Sequence, residues 1–358
     1  MKKAIIIPAS FKGTLSSQEV GLYIEEGIHA VFPKCETIRI PISDGGEGFV
    51  DAYLYAFKGK KIFVESSGPY REKMAGFYGL IDDTTAVFEI ASNAGLPLVK
   101  GKENPAITTT YGTGEVIRTA IESGVKHIVL GLGGSCTNDA GVGIASALGI
   151  RFLDKNGTSF LPTGSTLCDI ADIDSSKSLA KGIRFTVLCD VKHTFFGPQG
   201  AAYIFSPQKG ANPTMVRQLD QNLRAYSALL KYKLDFDTDF EGAGAAGGTP
   251  VSLKCFFGAE IKRGIETLLS LIDFESLIRD ADVIFTGEGK LDAQSFRGKV
   301  IDGVSIYAYK ANIPLVAIVG QIGDVNSSDF PPGLTAAISV KELSASLEQA
   351  LIETPQNI

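Results

Sequence analysis

The sequence lacks both a long hydrophobic run and an excess of basic residues. No stretch of 18 or more consecutive apolar residues occurs, which excludes a membrane-spanning helix. The apolar run in MKKAIIIP ends at Pro8, too early for a signal peptide, so it predicts a buried first strand. Lys and Arg total 34 against 40 Asp and Glu, a formal net charge of −6, which argues against a basic groove. We expect neither nucleic acid nor a membrane as a partner.

Cysteine and histidine are also scarce. The five cysteines are an odd number without a C-x-x-C pair, which argues against a disulfide framework or a zinc site and favours a reducing, cytoplasmic location. Three histidines leave few candidates for a histidine base or a multi-histidine metal site. Carboxylates, lysines and glycine-rich turns are therefore the groups in which we look for chemistry.

Glycine, in contrast, is abundant. The chain has 40 glycines in 358 residues, or about 11%, against roughly 7% in average proteins. Each cluster adjoins an apolar, strand-like run, which predicts tight turns close to a ligand and not a flexible linker. The clusters are DGGEG at 44–48, GLGGSCTNDAGVG at 131–143, GAGAAGG at 242–248 and TGEGK at 286–290.

The two ends of the chain share one alternating pattern of strands and helices. We predict strands over 4–7, 36–41, 281–285, 314–319 and 336–340, and helices over 17–32, 48–57, 298–311 and 343–352. Ser16 or Ser17 is expected to cap the first helix, with Glu19 in its first turn. The five strands predict one open, doubly wound parallel sheet.

The middle of the chain reads as a different domain. Two or three antiparallel strands are predicted over 61–92, followed by helices over 112–124, 139–149 and 213–232 and strands over 127–132 and 185–189. The length favours two domains, with three as the alternative. The fold class is therefore α/β, with residues 1–60 plus 281–358 forming a discontinuous domain and residues 61–280 an inserted mixed α/β domain.

The cluster at 131–143 lies between a predicted strand and a predicted helix. Backbone N–H groups of Gly133 and Gly134 and the hydroxyls of Ser135 and Thr137 would suit a phosphate there. Asn138 and Asp139 add oxygen atoms that could hold Mg²⁺. The alternative is a tight turn capped by Thr137 or Asn138. The cluster matches neither the Walker pattern nor G-x-G-x-x-G.

Two further clusters follow the carboxyl ends of predicted strands, where open α/β sheets bind ligands. Asp44 and Glu47, with Gly45 and Gly46 between them, suit a metal or a substrate hydroxyl, and the alternative is a turn capped by Asp44. The second cluster contains Gly287, Glu288, Gly289, Lys290 and Asp292. Its lysine could neutralise phosphate and its carboxylates could bind a metal, the alternative being a solvated surface lysine.

Lysine and aspartate complete the candidate inventory. Lys12, in SFKGTLSS, is either an anion contact beside a helix N-terminus or a surface lysine. Asp190 ends an apolar strand and is a candidate base or a strand-end cap, and His193 is the weaker candidate. Cations, metal-binding carboxylates and a base are what phosphoryl transfer requires. Hydride transfer is disfavoured because the dinucleotide fingerprint is missing.

At these motifs the sequence resembles the bacterial glycerate kinases of the type I class. The similarity covers nearly the whole length through segments in the family's order: SFKGTLSS, PISDGGEG, TTTYGTGEVI, GLGGSCTNDAGVG, CDV, GPQGAAYIFSPQKGA, GAGAAGG and FTGEGKLDAQSFRGK. The resemblance implies ATP- and Mg²⁺-dependent phosphorylation of D-glycerate. It also implies a flavodoxin-like domain interrupted by a second α/β domain, with the site in the cleft.

Three positions depart from the family pattern. Ala9 stands where the family usually has Asp, Lys192-His193-Thr194-Phe195 replace an Asn-Pro-Leu-like stretch, and Lys290 stands where many relatives have Arg. Because Asp is replaced at position 9, we assign the base to Asp190. We expect the 2-phosphate product over the 3-phosphate. The alternatives are a kinase for another small hydroxy acid and a non-catalytic nucleotide- or anion-binding relative.

The resemblance and the residues together give one predicted site. The catalytic residues are Asp190, Lys290 and Lys12, and the substrate-binding residues are Ser10, Lys12, Asp44, Gly45, Gly46 and Glu47. The nucleotide-binding residues are Gly133, Gly134, Ser135, Thr137, Asn138, Asp139, Gly287 and Gly289. The Mg²⁺ ligands are drawn from Asp44, Asp139 and Glu288.

Overall fold

A computed structural model describes residues 1–11, 14–42, 45–46, 48–292, 295–296, 299–343 and 358. The predicted site residues Lys12, Asp44 and Glu47 lie outside these described residues, as does nearly all of the helix predicted over 343–352. The molecule is an α/β protein with a parallel sheet and a mixed sheet.

The strands and helices are numbered in chain order. The strands are β1 Lys3–Pro8, β2 Glu36–Arg39, β3 Lys60–Ser67, β4 Lys73–Leu80, β5 Thr85–Glu89, β6 His127–Gly131, β7 Arg151–Leu153, β8 Ser159–Phe160, β9 Asp172–Asp174, β10 Arg184–Leu188, β11 Glu260–Lys262, β12 Val283–Leu291, β13 Leu315–Ile322 and β14 Leu334–Ser339. The α-helices are α1 Ser17–Val31, α2 Phe49–Phe57, α3 Ala91–Ala94, α4 Tyr111–Glu122, α5 Val142–Ala147, α6 Ala201–Phe205, α7 Pro213–Leu234, α8 Thr249–Phe257, α9 Gly264–Leu271, α10 Phe274–Ile278 and α11 Val300–Ala311. Short 3₁₀ turns cover Leu96–Val99, Leu167–Asp169, Pro207–Lys209, Ala245–Gly248, Ser327–Asp329 and Val340–Leu343.

The chain forms two compact units. The first contains Met1–Asp44, Tyr55–Lys58 and Arg263–Ile358, and the second contains Gly45–Leu54 and Gly59–Lys262. The domain bounds expected from the sequence stay a prediction, and so does a shared cleft. None of the described helices is long and apolar enough to cross a membrane.

The first unit has a five-stranded parallel sheet in the order β14-β13-β12-β1-β2. The prediction of one parallel sheet from the two ends of the chain is confirmed. Ile5, Ile6 and Ile7 are fully buried, which explains why β1 reads as a continuous apolar run. The neighbours β2 and β12 lie on opposite sides of β1, so the strand order reverses between β1 and β12, where such sheets bind ligands.

Helix α1 begins where the sequence predicts. The Ser16 hydroxyl accepts a hydrogen bond from the Glu19 backbone N–H, and the Glu19 carboxylate accepts one from the Ser16 backbone N–H. This reciprocal capping box satisfies two backbone donors. The hydrogen bonds that the Glu19 carboxylate accepts from Ser16 lower the pKa of Glu19.

The second unit has a six-stranded mixed sheet in the order β11-β10-β6-β5-β4-β3. Strands β3 and β4 pair antiparallel, as predicted, whereas β5 also pairs parallel with β6 and so joins the hairpin to the rest of the sheet. A small antiparallel sheet, β8-β7-β9, was not predicted. Phe152 of β7 packs edge-on against Tyr226 of α7, which places the small sheet against that helix.

Candidate active site

The glycine-rich turn after β6 contacts the segment Gly45–Gly46. The backbone N–H of Gly133 donates to the Gly45 carbonyl at 2.8 Å. A Cβ atom on Gly133 would lie 2.6 Å from the Cα of Gly46, and one on Gly131 would lie 2.5 Å from the Gly45 carbonyl oxygen. The structure therefore brings parts of two predicted motifs together, and both glycines are required for that approach.

The turn continues further than the sequence predicts. Helix α5 begins at Val142 and not at Asp139, because Ala140 and Gly141 have positive φ angles of 55° and 76°. Their N–H groups donate to the Gly247 carbonyl and to Asp139, so they are not available to a ligand. The predicted helix N-terminus directly behind residues 133–139 is therefore wrong, and a phosphate there would depend on the turn itself.

Asp139 is fully buried and has several donors of its own. Its Oδ2 accepts from the backbone N–H and the hydroxyl of Thr110, at 2.8 and 2.9 Å, and from the Thr109 hydroxyl at 3.3 Å. Its Oδ1 accepts from the Gly141 N–H at 3.2 Å. Burial raises the pKa of Asp139, and these hydrogen bonds oppose that rise. Through these hydrogen bonds the carboxylate connects the turn to Thr109 and Thr110, directly before α4. Its role as a Mg²⁺ ligand stays a prediction, and this geometry does not favour it.

Lys209 was not among the predicted site residues, yet its side chain supports the turn. It is only 2% exposed, and its ammonium donates to Ser135 Oγ at 2.9 Å and to the Thr137 carbonyl at 2.6 Å. Burial lowers the pKa of Lys209 to about 8. The only signal in the sequence was its place in the GPQGAAYIFSPQKGA segment, because the contact joins residues far apart in the chain.

The side chains of Thr137 and Asn138 are buried and have no hydrogen-bond partner among the residues that the structure describes. The groups concerned are the Thr137 hydroxyl and both polar atoms of the Asn138 amide, and both residues are completely inaccessible to solvent. Gly247 packs so closely on this backbone that a Cβ there would lie 2.2 Å from the Thr137 carbonyl oxygen. Buried polar groups without partners are rare in native proteins and point to a ligand or an ordered water.

Cys136, in the same turn, is a buried thiol. Its backbone N–H donates to the Ala94 carbonyl, and its carbonyl accepts from the Thr108 hydroxyl. Burial raises the pKa of Cys136 to about 12, so the thiol stays protonated and inert at neutral pH. Cys168, by contrast, is exposed.

Asp190 lies two residues after the end of β10 and is exposed. Burial raises the pKa of the Tyr53 hydroxyl, and the charge of Asp190 raises it further, so the two side chains interact electrostatically. His193 Nδ1 lies 3.2 Å from the Gln199 carbonyl, and its ring packs edge-on against Phe205. These contacts anchor the imidazole and favour Asp190 over His193 as the base, although both roles stay predictions.

In the first unit, β12 continues to Leu291, so the predicted residues Gly287 to Lys290 lie within this strand and not in a turn after an end at 285. The N–H of Ala9 donates to the Gly287 carbonyl, which sets the segment containing Ser10 beside this strand. A Cβ on Gly287 would lie 2.4 Å from the Ile318 carbonyl oxygen, and one on Gly320 would lie 2.5 Å from the Gly289 carbonyl oxygen. The close packing of neighbouring strands thus explains Gly287, and nucleotide binding by Gly287 and Gly289 stays a prediction.

Glu288 is the buried carboxylate of this strand end. Its Oε2 accepts from the Ser295 hydroxyl at 2.9 Å and lies 3.9 Å from the Lys299 ammonium, whereas Oε1 is buried and has no hydrogen-bond partner in the part of the chain that the structure describes. Burial raises its pKa, opposed by Lys299 and Ser295. Lys290 is different, since its side chain is 52% exposed and its ammonium lies 3.8 Å from Asp292. Lys299, not predicted as a site residue, is therefore the lysine beside Glu288.

The described residues contain no group of three or more His, Cys, Asp or Glu side chains placed to hold a metal ion. Glu288 fits a cation through its unpartnered Oε1, whereas the oxygens of Asp139 already accept from protein donors. Magnesium ligands other than Glu288 would have to include groups such as Asp44, which lies outside the description.

Comparisons with known proteins agree over nearly the full chain. The profile of the glycerate kinase family matches residues 4–358. A glycerate kinase of Bacillus cereus is 42% identical over 99% of this chain and 95% of its own length. A glycerate 2-kinase of Escherichia coli is 40% identical over the same shares of the two chains.

A solved structure gives the same result in three dimensions. The crystal structure of a candidate glycerate kinase 2 from Salmonella typhimurium LT2 superposes with a TM-score of 0.85 at 38% identity, covering 99% of this chain and 96% of that one. These matches far exceed what a shared fold alone would give, and they confirm the resemblance found in the motifs. The chain belongs to the glycerate kinase family.

Proposed function

We propose that this protein transfers the γ-phosphoryl group of ATP to a hydroxyl of D-glycerate and that the product is 2-phosphoglycerate. The observation that carries the proposal is the turn at Gly133–Asp139, in which a buried ammonium and unpartnered polar groups lie on a glycine-rich backbone. Positive charge and hydrogen-bond donors are what a phosphate requires. The family's named relatives supply the substrate class.

The strand order of the first unit supports a ligand site at the end of β12. With its strands counted within the unit, the sheet has the order 2-1-3-4-5 of flavodoxin-like folds, and Ser10, Glu288 and Lys290 follow or end its two central strands. We assign glycerate contacts to Ser10 and Lys290 and charge neutralisation on the phosphoryl group to Lys290 and Lys12. We also assign substrate contacts to Gly45 and Gly46, and the hydrogen bond from Gly133 to the Gly45 carbonyl supports this assignment.

In the transfer, the glycerate hydroxyl oxygen forms a bond to the γ-phosphorus while the bond from that phosphorus to the β,γ-bridging oxygen breaks. ADP leaves with the electron pair of the broken bond, and Asp190 accepts the hydroxyl proton. When bound, Mg²⁺ would neutralise phosphate charge, and Glu288 is the described carboxylate that fits it. Nucleotide phosphates would contact Ser135, Thr137 and Asn138.

The test is ADP formation by the full-length protein with ATP and Mg²⁺, with and without D-glycerate, followed by phosphorus NMR of the product. We expect ADP formation to depend on glycerate and the product to be the 2-phosphate. A 3-phosphate product would correct the regiochemistry alone. Turnover of a different hydroxy acid in preference to glycerate would replace the substrate, and ATP binding without any turnover would overturn the kinase assignment.

Asp190→Asn tests the base. We expect kcat to fall by about 100-fold or more, within the usual range for a lost general base, while the melting temperature stays close to that of the wild type. Asp239→Asn is the matched control, because Asp239 is also an exposed aspartate of the second unit. Full turnover by Asp190→Asn would remove this residue from the reaction.

A further inference from the structure

Lys209 is a buried cation that forms no ion pair with any residue the structure describes. Its ammonium has two neutral acceptors, the Ser135 hydroxyl and the Thr137 carbonyl, and no carboxylate of the described residues forms an ion pair with it. The titratable groups that act on it are Cys136 and Asp139, and Asp139 already accepts from Thr109, Thr110 and Gly141. A buried charge is costly unless it is paired. Asp139 acts on Lys209 electrostatically, but among the described residues no anion is in direct contact with the ammonium.

The hydrogen bond from Lys209 fixes the orientation of the Ser135 hydroxyl. An ammonium group can only donate, so Ser135 Oγ must accept in this bond. The hydroxyl proton of Ser135 is then left to donate elsewhere, and the described residues supply no acceptor for it. Gly134, immediately before Ser135, is exposed, so the turn reaches solvent at this point.

Further unmet hydrogen-bonding groups lie beside the same contact. The Thr137 hydroxyl and the Asn138 amide are buried without partners, and the backbone carbonyl of Thr137 is the second acceptor of Lys209. The ammonium itself carries three donors, of which the described residues use two. An oxyanion that accepts from the remaining ammonium donor and from the Ser135 hydroxyl would place an anion in direct contact with Lys209.

We propose that Lys209 is a positioning residue that charges the glycine-rich turn and orients the Ser135 hydroxyl toward an oxyanion of the ligand. The inference deepens the proposed function and rests on it for the identity of the ligand. The shared chemistry is a phosphate or carboxylate oxygen, since ATP and D-glycerate both offer one. The ammonium acts through Ser135 and through the backbone at Thr137, and Ser135 makes the contact.

The variants that test this role remove the charge, keep it, or remove the hydroxyl. They are Lys209→Met, Lys209→Arg and Ser135→Ala, together with the double variant. Binding of ATP, inorganic pyrophosphate and D-glycerate is measured separately by calorimetry, with no need for turnover. Lys181→Met is the matched control, because Lys181 is an exposed lysine of the same unit.

We expect Lys209→Met to weaken the binding of one ligand by about 10- to 100-fold, the range for hydrogen bonds to a charged group, and to leave the others nearly unchanged. Loss of ATP and pyrophosphate binding identifies a phosphate site, whereas loss of glycerate binding identifies a carboxylate site. Lys209→Arg should recover part of the affinity. The double variant should bind no more weakly than Lys209→Met, since the two residues act as one unit.

A purely structural lysine would give a different result. Lys209→Met would then lower the melting temperature while the folded protein kept wild-type affinity for all three ligands, and that outcome overturns the proposal. If Lys209→Met does not fold, Ser135→Ala and the pH dependence of the wild type decide. Pyrophosphate or glycerate affinity should fall as the pH rises through about 8, where the ammonium loses its proton.

The titratable groups that face Lys209 are Cys136, whose pKa burial raises to about 12, and Asp139, whose pKa burial also raises. Lys209→Arg keeps its charge over this pH range, so loss of the pH dependence in that variant assigns the dependence to Lys209 and not to Asp139. Constant affinity of all three ligands from pH 7 to 9, with wild-type affinity in Ser135→Ala, would contradict the proposal. A protein that binds pyrophosphate through Lys209 but does not phosphorylate glycerate would contradict the proposed function alone.

Discussion

The turn after β6 and the end of β12 are both glycine-rich strand ends, but their glycines serve different contacts. In the turn, Gly133 allows the backbone to approach Gly46, and the buried Lys209 donates hydrogen bonds to Ser135 and to the Thr137 carbonyl. At the end of β12, Gly287 accommodates a neighbouring strand, and the predicted lysine, Lys290, is half exposed. A glycine cluster therefore identifies close backbone approach, and only the contacts show whether the approach serves a ligand or the sheet.

Breaking the backbone contact of the turn should have the largest effect. Gly133→Ala would place a Cβ 2.6 Å from Gly46 backbone atoms, which cannot be relieved by rotating a side chain. We expect a loss of about 3 kcal/mol in the free energy of unfolding, measured by urea denaturation.

Gly134→Ala is the matched comparison, because a Cβ there meets nothing closer than Ala91 at 3.5 Å. Its cost should be about 1 kcal/mol, from the positive φ of 75° alone. Equal losses for the two variants would show that the close approach to Gly46 is relieved at little cost and does not make Gly133 necessary.

Asp139→Asn and Glu288→Gln compare the two buried carboxylates. An amide at position 139 would turn one acceptor into a donor facing Thr110, so we expect a loss of about 2–3 kcal/mol in unfolding free energy. Glu288→Gln should cost less than about 1 kcal/mol while lowering kcat, because Oε1 has no hydrogen-bond partner among the described residues. Thermal melting measures the loss of stability, and steady-state kinetics measures kcat. A larger stability loss for Glu288→Gln than for Asp139→Asn would show that Glu288 supports the fold more than Asp139 does.

The pH dependence of kcat/KM tests whether the ionisation of Glu288 in β12 limits the reaction. Burial raises the pKa of Glu288, and Lys299 opposes that rise. Lys299→Met should therefore raise this pKa further and move the acid limb of kcat/KM to higher pH, because the carboxyl then keeps its proton over a wider range. Lys310→Met, on an exposed position of α11, is the control. An acid limb that does not move would show that Glu288 ionisation does not limit the reaction.

Lys290→Met should have the smallest effect on stability. Its ammonium lies 3.8 Å from Asp292 with the side chain half exposed, so we expect a change within about 0.5 kcal/mol. If Lys290 contacts a ligand, KM or kcat will change without a shift in melting temperature. A stability loss as large as that of Gly133→Ala would show that Lys290 supports the fold.

Several helices and strands of this fold can be predicted from local sequence patterns. The capping box of Ser16 and Glu19 fixes the start of α1, and the apolar runs of the five strands predict the parallel sheet. The strands of the small sheet have only two or three residues, too few for a periodic pattern. The start of α5 was misplaced because Ala140 has a positive φ, which its sequence alone does not suggest.

Site residues in motifs next to strands can be predicted from the sequence. A residue that reaches the site only through a contact between distant parts of the chain cannot. Gly45 and Gly133 were both chosen from their motifs, and the structure joins them. Lys209 could not be ranked above any other lysine, because its contact with Ser135 bridges separate parts of the chain. Asp139 was read as a metal ligand because a sequence does not show which donors a carboxylate already has.

The burial of Cys136 has a practical consequence for anyone who wishes to observe this protein at work. A maleimide or fluorescent iodoacetamide needs an accessible thiolate, which the turn withholds, while Cys168 sits at the surface. Of these two thiols, the reagent should therefore attach to Cys168 and leave Cys136 in the glycine-rich turn unmodified. A label at Cys168 would let the native chain be followed without engineering the turn.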